Sequence, residues 1–246
     1  MAFNPYSLEG KTVLVTGASS GIGKATAIAC SRLGAHVIVS GRNSERLQET
    51  FSELDGEGHL QIIADLTDED QIALLAEFVP PLDGFVNNAG VGNKIPINFI
   101  KRVTLQNILD VNTIAPILLS RYLLKKKKLK RGASMVITSS IAGVCSVDIG
   151  NTLYSVSKSA VDGFMKNAAK ELAEKGIRVN SVNPGMVDTP INDYTSVSEE
   201  QKLADLTNYP LKRHGKPEEI AYAIIYLLSD AVSYTHLRAH ETGAYL

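Results

Sequence analysis

The chain has 246 residues, of which 44% are hydrophobic and 21% charged, and its formal net charge is −1. This composition predicts one globular domain and offers no global charge for nucleic acid or an anionic membrane. The N-terminus has no basic start followed by an apolar core, and no apolar run approaches the roughly 20 residues of a membrane span. Cys30 and Cys145 provide neither a disulfide framework nor a paired metal spacing, so we expect a cytoplasmic protein.

The first pattern is a strand, a glycine-rich turn and a helix. Residues 11–16 form an apolar, β-branched run, and a helical pattern continues through 28–33. Glycines between them allow a tight turn and the close approach of a pyrophosphate, whose charge is stabilised by free N–H groups at a helix start. The turn predicts a dinucleotide site, with a plain strand-to-helix turn as the alternative. Its candidate residues are Gly17, Ser19, Ser20, Gly21, Ile22 and Gly23.

The second strand, at 36–40, ends in Gly41, Arg42 and Asn43. Dinucleotide folds contact the adenosine ribose about 20 residues after the glycines, with an acid for a 2′-hydroxyl or an arginine for a 2′-phosphate. This strand end has Arg42 and no acid. The sequence therefore favours NADP(H) over NAD(H), with a solvated loop cation as the alternative for Arg42.

The next elements are a polar helix at 44–54, a strand at 60–64 and a helix at 68–78 with Thr67 as the expected N-cap. Asp65 and Leu66 follow the strand at its carboxyl end, where open parallel sheets collect ligand contacts. Asp65 is a candidate for the adenine side of the cofactor. An aspartate near a helix start also serves as a turn or helix-dipole residue, so both roles stay open.

A fourth strand at 83–86 runs into a short polar loop. Asparagines in such a loop either bond backbone groups and hold a tight turn or contact a ligand, and the sequence leaves both roles open. The loop consists of Asn87, Asn88, Ala89 and Gly90, of which the last three are cofactor candidates.

The longest helical pattern covers 103–129 and is interrupted around Asn112 and Pro116. A proline there predicts a kink, and the carbonyl that the kink frees gives a reason for a functional group at Asn112. The pattern ends in the lysine run 125–128, which complements a helix dipole. An acidic carrier protein is a less favoured partner for the run.

A fifth strand at 133–139 delivers Ser140 to the same edge as the glycine turn, and a helix at 153–175 follows. Tyr154 and Lys158 lie one turn apart on one face of that helix. An ammonium within about 4–6 Å lowers a phenol pKa by roughly 1–3 units, which favours proton transfer near neutral pH. Tyr122 and Lys126 have the same spacing, but no serine pair such as Ser139 and Ser140, which precede Tyr154, stands upstream of them.

A sixth strand at 177–182 leads into the loop 183–190. Six strands that alternate with helices predict an α/β fold in one domain at 1–230. The expected architecture is a Rossmann-type, doubly wound parallel sheet in three layers, with helices on both faces.

Together these motifs resemble the short-chain dehydrogenase/reductase family over roughly 10–230. The resemblance implies reversible hydride transfer between a nicotinamide and a carbonyl or alcohol. Tyr154 would protonate the carbonyl oxygen, Ser140 would hydrogen-bond it, Lys158 would lower the phenol pKa and bond the nicotinamide ribose, and Asn112 would hold a water. The implied cofactor contacts are Gly17, Ser19 and Ile22 at the pyrophosphate, Asn88 and Ala89 at the adenosine, and Val187 and Thr189 at the nicotinamide amide. Tyr154, Lys158, Pro184 and Gly185 are further cofactor-binding candidates.

The C-terminus departs from that pattern. After a helix at 220–229 the family continues into an apolar strand, whereas residues 231–246 contain none of useful length. We therefore expect an aberrant tail, with the last strand missing or disrupted, an exposed sheet edge and a weakened oligomer contact. His236 and His240 have helical spacing, but without a nearby acid or cysteine they predict no metal site.

The stretch 210–220 is similar to 3-oxoacyl-acyl-carrier-protein reductases within this family. The leading prediction is an NADP(H)-dependent oxidoreductase that interconverts a ketone and a secondary alcohol, with a 3-oxoacyl thioester as a candidate substrate. The alternatives are a sugar or polyol dehydrogenase and a nucleotide-binding protein that the tail has inactivated. We expect a homo-oligomer, a dimer or tetramer, and a substrate covered by 191–211, where Tyr194 and Tyr209 suggest a partly apolar pocket.

Overall fold

The computed structural model describes residues 4–191, 198–232 and 238–240. Its centre is a wholly parallel sheet in the order β3-β2-β1-β4-β5-β6-β7. The chain builds β1 to β3 towards one edge and then returns to the middle, so β1 and β4 are neighbours at the switch point. The first six strands are β1 Thr12–Thr16, β2 His36–Gly41, β3 Leu60–Ile63, β4 Leu82–Asn87, β5 Leu129–Thr138 and β6 Arg178–Asn183.

Helices cover both faces of the sheet. Side chains alternate along the buried strands: Leu14 packs into one core, towards α3, α5 and α6, while Val13 and Val15 pack into the other, towards α1 and α8. The described helices are α1 Gly21–Arg32, α2 Ser44–Ser52, α3 Glu69–Phe78, α4 Arg102–Leu109, α5 Ala115–Lys125, α6 Thr152–Leu172, α7 Glu199–Leu206 and α8 Pro217–Leu228. The three-layer, doubly wound fold is confirmed.

The expected helix at 103–129 is partly wrong. It is broken as predicted, since Asp110–Ile114 is a π-helical turn and Pro116 occupies the first turn of α5. However, α5 ends at Lys125, and Lys127 adopts φ 54°, which reverses the chain so that Leu129 already begins β5. An apolar leucine after four lysines extends the helical pattern, and the pattern alone does not reveal the left-handed residue.

Two further helix boundaries differ from the prediction. Asp68, not Thr67, caps α3, because its carboxylate accepts the N–H groups of Asp70 and Gln71. Helix α7 was not predicted. Its signal is nevertheless present, since Ser198 and Gln201 form a reciprocal capping box.

The last strand was expected to be missing or disrupted, and it is present in a short form. A strand β7, Arg238–His240, pairs with β6 through the register Ser181 to Arg238. The seventh position of the sheet is therefore filled, although by three residues only. Residues 233–237, with His236, and 241–246 lie outside the described residues, and the foreign origin of the tail and the domain boundary at 230 stay predictions. No helix in the described parts of the chain is long and apolar enough to cross a membrane.

Candidate active site

The glycine turn after β1 is packed too tightly for side chains. Gly17 adopts φ 64°, and a Cβ there would lie 2.7 Å from Ala89 Cα. At Gly23 it would lie 2.3 Å from the Gly17 carbonyl oxygen. Ser20 precedes α1 in an extended conformation and its side chain makes no capping bond, so the first N–H groups of α1 are left for a ligand. These features fit the pyrophosphate of a dinucleotide.

The loop after β4 is held against this turn by Thr16, which sequence reasoning missed. Its hydroxyl donates to the Val86 carbonyl at 3.2 Å and accepts the N–H groups of Asn88 and Ala89 at 3.1 and 3.2 Å. The Asn88 amide donates to the Thr16 carbonyl at 3.2 Å. The structural role left open for Asn88 is thus present, and a threonine immediately before the glycines was the available signal.

The expected adenosine side lies at the ends of β2 and β3. Arg42 is exposed and follows β2 directly, while a Cβ on Gly41 would lie 3.5 Å from Ser19 Oγ, beside the glycine turn. Asp65 accepts the N–H and hydroxyl of Thr67 at 2.9 and 2.8 Å, which is the turn role named as its alternative. Leu66 packs against the core beneath.

The candidate catalytic side chains converge where β5 meets α6. Tyr154 and Lys158 lie one turn apart on α6, as predicted, and Lys158 Nζ is 5.7 Å from the centroid of the Tyr154 ring. The Ser140 hydroxyl hydrogen-bonds the Tyr154 hydroxyl. Lys158 is 4% exposed and its Nζ donates to the Thr138 carbonyl at 2.8 Å.

The protonation of this cluster corrects the sequence prediction. Burial raises the pKa of Tyr154 above its ordinary 10, and the hydrogen bond from Ser140 only partly opposes this. Burial outweighs any lowering of the phenol pKa, and the close hydrogen bond of the Lys158 Nζ goes to the Thr138 carbonyl. Burial instead lowers the pKa of Lys158 to about 8. The phenol is therefore a neutral hydrogen-bond donor at neutral pH.

Asn112 lies in the π-helical turn and joins three segments. Its amide oxygen accepts the Val91 N–H at 2.8 Å, and its Nδ2 donates to the Val91 carbonyl at 2.9 Å and to Ser157 Oγ at 3.0 Å. A Cβ on Gly90 would lie 3.4 Å from Asn112 Oδ1 and 3.5 Å from Lys158 Nζ. The structure thus brings Asn112, Gly90 and Lys158 together, while the water-holding role of Asn112 stays a prediction.

The loop after β6 completes the site. The Pro184 carbonyl accepts the Ile141 N–H at 3.1 Å and the Ser140 hydroxyl at 3.5 Å. Val187 is buried and pairs with Gly215, and a Cβ on Gly21 would lie 3.1 Å from Thr189 Cγ2. Gly185 lies against Ile141. The predicted nicotinamide residues therefore lie between Ser140 and the start of α1.

The second tyrosine-lysine pair lies elsewhere. The Tyr122 hydroxyl donates to Glu69 at 2.7 Å, and Lys126 forms an ion pair with Glu77. Lys128 donates to the Glu77 and Val79 carbonyls at the end of α3, both at 2.8 Å. Lys128 thus serves the carbonyl end of α3 and Lys126 pairs with an acidic side chain of that helix, whereas the favoured interpretation placed the run at the end of its own helix.

Comparison with known proteins decides the family. A family model described as enoyl-(acyl carrier protein) reductase matches residues 17–240. The chain belongs to the short-chain dehydrogenase/reductase family. It is 35% identical over 240 residues to the 3-oxoacyl-(acyl-carrier-protein) reductase FabG of Rickettsia felis, covering 97% of this chain and 98% of that protein. It is 33% identical over 237 residues to L-xylulose reductase of Caenorhabditis elegans, covering 94% and 93%.

A solved structure of this family shows the same fold. It is a protein from Beutenbergia cavernae, provisionally assigned as an NAD(P)-dependent gluconate 5-dehydrogenase, with NADP bound at low occupancy. The two chains superpose with a TM-score of 0.87 at 31% identity, over 96% of this chain and 97% of that one. The protein is thus an oxidoreductase of a family that binds NAD(P) and acts on alcohol and keto groups.

Proposed function

We propose that this protein interconverts a ketone and a secondary alcohol with NADP(H), with a 3-oxoacyl thioester as the proposed substrate type. The observation that carries the proposal is the hydrogen-bonded pair of the Tyr154 and Ser140 hydroxyls, with Lys158 beside it, at the sheet edge that also holds the glycine turn. An acid next to a dinucleotide turn is what carbonyl reduction requires.

The chain's own residues handle the proton. When bound, the nicotinamide supplies or accepts the hydride, and Val187 and Thr189 would hold its amide. Tyr154, kept neutral by burial, donates its proton to the substrate oxygen, and Ser140 hydrogen-bonds the same oxygen. Lys158, with a pKa of about 8, populates both protonation states near neutral pH and returns a proton to the phenolate. Asn112 fixes the loop beside Lys158.

The preference for NADP(H) rests on Arg42. Within the described residues its guanidinium forms no ion pair, and it is exposed at the end of β2, where a dinucleotide fold holds the ribose. A free guanidinium matches the bidentate geometry of a phosphate. The NADP in the Beutenbergia cavernae structure supports the same choice.

Replacing Tyr154 with phenylalanine tests the reaction. Tyr154→Phe removes the proton donor and should lower kcat for ketone reduction by about a hundredfold or more, while NADPH binding is retained. Tyr122→Phe is the matched control, because Tyr122 has the same lysine spacing and bonds Glu69 far from the site. Equal loss in both variants would contradict the assignment. NADPH binding without turnover of any ketone by the wild type would favour the inactivated nucleotide-binding protein.

Replacing Arg42 tests the cofactor. Arg42→Ala should raise KM for NADPH between about tenfold and a hundredfold, because it removes the charge-assisted hydrogen bonds to the 2′-phosphate. KM for NADH, which has no 2′-phosphate, should change little. Arg46→Ala on α2 removes an exposed arginine nearby and serves as the control. A parallel rise for NADPH and NADH in Arg42→Ala would speak against a 2′-phosphate contact.

Other features stay predictions from the sequence. They are the acyl carrier protein as partner, the dimer or tetramer and the cytoplasmic location. Tyr194 lies outside the described residues, whereas Tyr209 packs edge-on against His214 with their ring centroids 5.0 Å apart.

A further inference from the structure

His214 follows α7 in the chain and lies next to a backbone segment that is bonded to the loop after β6. The Gly215 N–H donates to the Met186 carbonyl at 2.9 Å, and the Gly215 carbonyl accepts the Asp188 N–H at 2.9 Å. These two bonds flank Val187, which pairs with Gly215 as an isolated parallel bridge. The backbone beside His214 is therefore fixed relative to the loop that carries the predicted nicotinamide residues.

The ring of His214 contacts α7 and the turn after that helix. Its Nε2 lies 3.1 Å from Asp205 Oδ2 on α7, and the ring packs edge-on against Tyr209. The turn brings these groups together, because Lys212 adopts φ 55° and its Nζ donates to the Thr207 carbonyl at 2.8 Å. The His214 side chain is only 14% exposed, so water screens its bond to Asp205 in part.

Helix α7 has little apolar packing of its own. None of the side chains described for α7 is buried, and none of them belongs to the two cores of the domain. Leu203, in the middle of α7, is 66% exposed. The capping box of Ser198 and Gln201 stabilises the start of the helix but does not attach it to the sheet. An element with so few buried apolar contacts detaches at a low cost in free energy, so one polar contact changes its position measurably.

We propose that His214 is a positioning residue, which holds α7 against the loop after β6 through its bond to Asp205. Helix α7 belongs to the segment 191–211 that we expect to cover the substrate. When only a fraction of the molecules has α7 in place, the apparent affinity for the substrate falls by that fraction. The inference rests on the proposed function and adds to it a residue that acts on substrate binding and not on proton transfer.

Hydrogen exchange of the α7 amides tests the contact without any turnover. In His214→Ala these amides should exchange up to about tenfold faster than in the wild type, because a hydrogen bond to a carboxylate is lost. The α8 amides should be unaffected. Asp205→Ala should have the same effect, and combining both substitutions should add nothing further. His36→Ala is the matched control, because His36 is an exposed histidine at the start of β2, 3.1 Å from the Glu57 carbonyl.

Steady-state kinetics of the full-length protein test the consequence for the substrate. The probe is the N-acetylcysteamine thioester of 3-oxobutanoic acid, reduced with NADPH. His214→Ala should raise KM for the thioester by up to about tenfold, because α7 is less often in place. Both kcat and KM for NADPH should stay within about twofold, since bound substrate restores the position of α7 and Gly215 keeps its backbone bonds. His214→Gln should recover most of the loss, because its amide N–H replaces the Nε2–H.

Three results would overturn the inference. The first is unchanged exchange of α7 in His214→Ala, or an increase that extends equally to α8. The second is faster exchange of α7 with an unchanged KM for the thioester. The third is a fall in kcat at constant KM, which would place His214 in the chemistry. A wild type that binds NADPH but does not reduce the thioester contradicts the proposed function instead, and the exchange of α7 then decides the role of His214.

Discussion

Tyr154 and Tyr122 each precede a lysine by four residues, and only their surroundings separate them. Tyr154 is largely buried and bonds Ser140, whereas Tyr122 bonds the exposed Glu69. The presence of Ser140 upstream of Tyr154, and of no such serine pair upstream of Tyr122, predicted which tyrosine would have a serine partner. The direction of the phenol pKa was not predictable in this way, because the burial that raises it depends on the folded sheet.

Lys158 gives the site a measurable effect of pH on stability. Its folded pKa of about 8 lies below the unfolded value of 10.5, so the unfolded chain holds more protons between these pH values. The free energy of unfolding therefore rises with pH in this window, and below it burial of the charge costs about 3 kcal/mol. From about pH 7 to about pH 9.5 the wild type should gain about 2 kcal/mol relative to Lys158→Met.

Urea unfolding at both pH values measures this gain. Lys170→Met, an exposed lysine on the same helix, should follow the wild-type curve. Curves for wild type and Lys158→Met that stay parallel would show that Lys158 keeps an ordinary pKa. Because the substitution also removes the proton relay, the variant should be inactive at both pH values.

At the scale of the elements, the sequence predicted those that carry their own local signal. Six strands were found from apolar, β-branched runs, and the break at Asn112 from Pro116. The end of α5 was missed because a left-handed Lys127 leaves no mark in hydrophobic periodicity. In the candidate site, the residues that follow each strand were predicted from their place at the strand ends. Thr16 was missed because its hydrogen-bond partners lie some seventy positions away in the chain, as in the 3.1 Å bond from the Asn88 N–H.

The π-helical turn provides a test at this scale. Asn112→Ala removes three side-chain bonds and leaves the Val91 N–H and carbonyl without their partner. The loss should be about 3 kcal/mol, which corresponds to a fall of roughly 6–12 °C in Tm. Asn167→Ala, which removes one exposed bond to the Gly163 carbonyl, should stay within about 0.5 kcal/mol of the wild type. Similar melting temperatures for the two variants would mean that the Asn112 clamp contributes little.

At the scale of the whole molecule, one edge of the sheet gathers residues from distant parts of the sequence. Parallel strands connected through helices all end at that edge, so the glycine turn, Asn88, Ser140 and Pro184 meet although Gly17 and Pro184 are 167 positions apart in the chain. The alternation of strands and helices predicts the doubly wound sheet, and a doubly wound sheet brings these loop residues to one edge. The attachment of the last helix could not, since it depends on contacts between segments far apart in the chain.

Arg178 links α8 to the sheet, and replacing it tests how much this link contributes to stability. It stands at the start of β6, and its guanidinium donates to the Leu227 and Ser229 carbonyls at the end of α8, at 2.7 and 3.1 Å. A cation at a helix C-terminus stabilises the unpaired carbonyls and the dipole. Arg178→Met keeps the aliphatic stem but loses both bonds, so Tm should fall by roughly 4–8 °C, equivalent to about 2 kcal/mol.

Arg32→Met is the matched control, because Arg32 lies 3.8 Å from Asp55 in a largely exposed pair, and exposed pairs contribute little. Calorimetry of both variants decides between two accounts of how α8 is held. If Arg178→Met melts like Arg32→Met, the apolar contacts of α8, such as those of Ile220 and Ile224, hold the helix without the arginine. If it melts well below, the bonds from β6 contribute to holding the last helix on the sheet and with it the layer that covers β1.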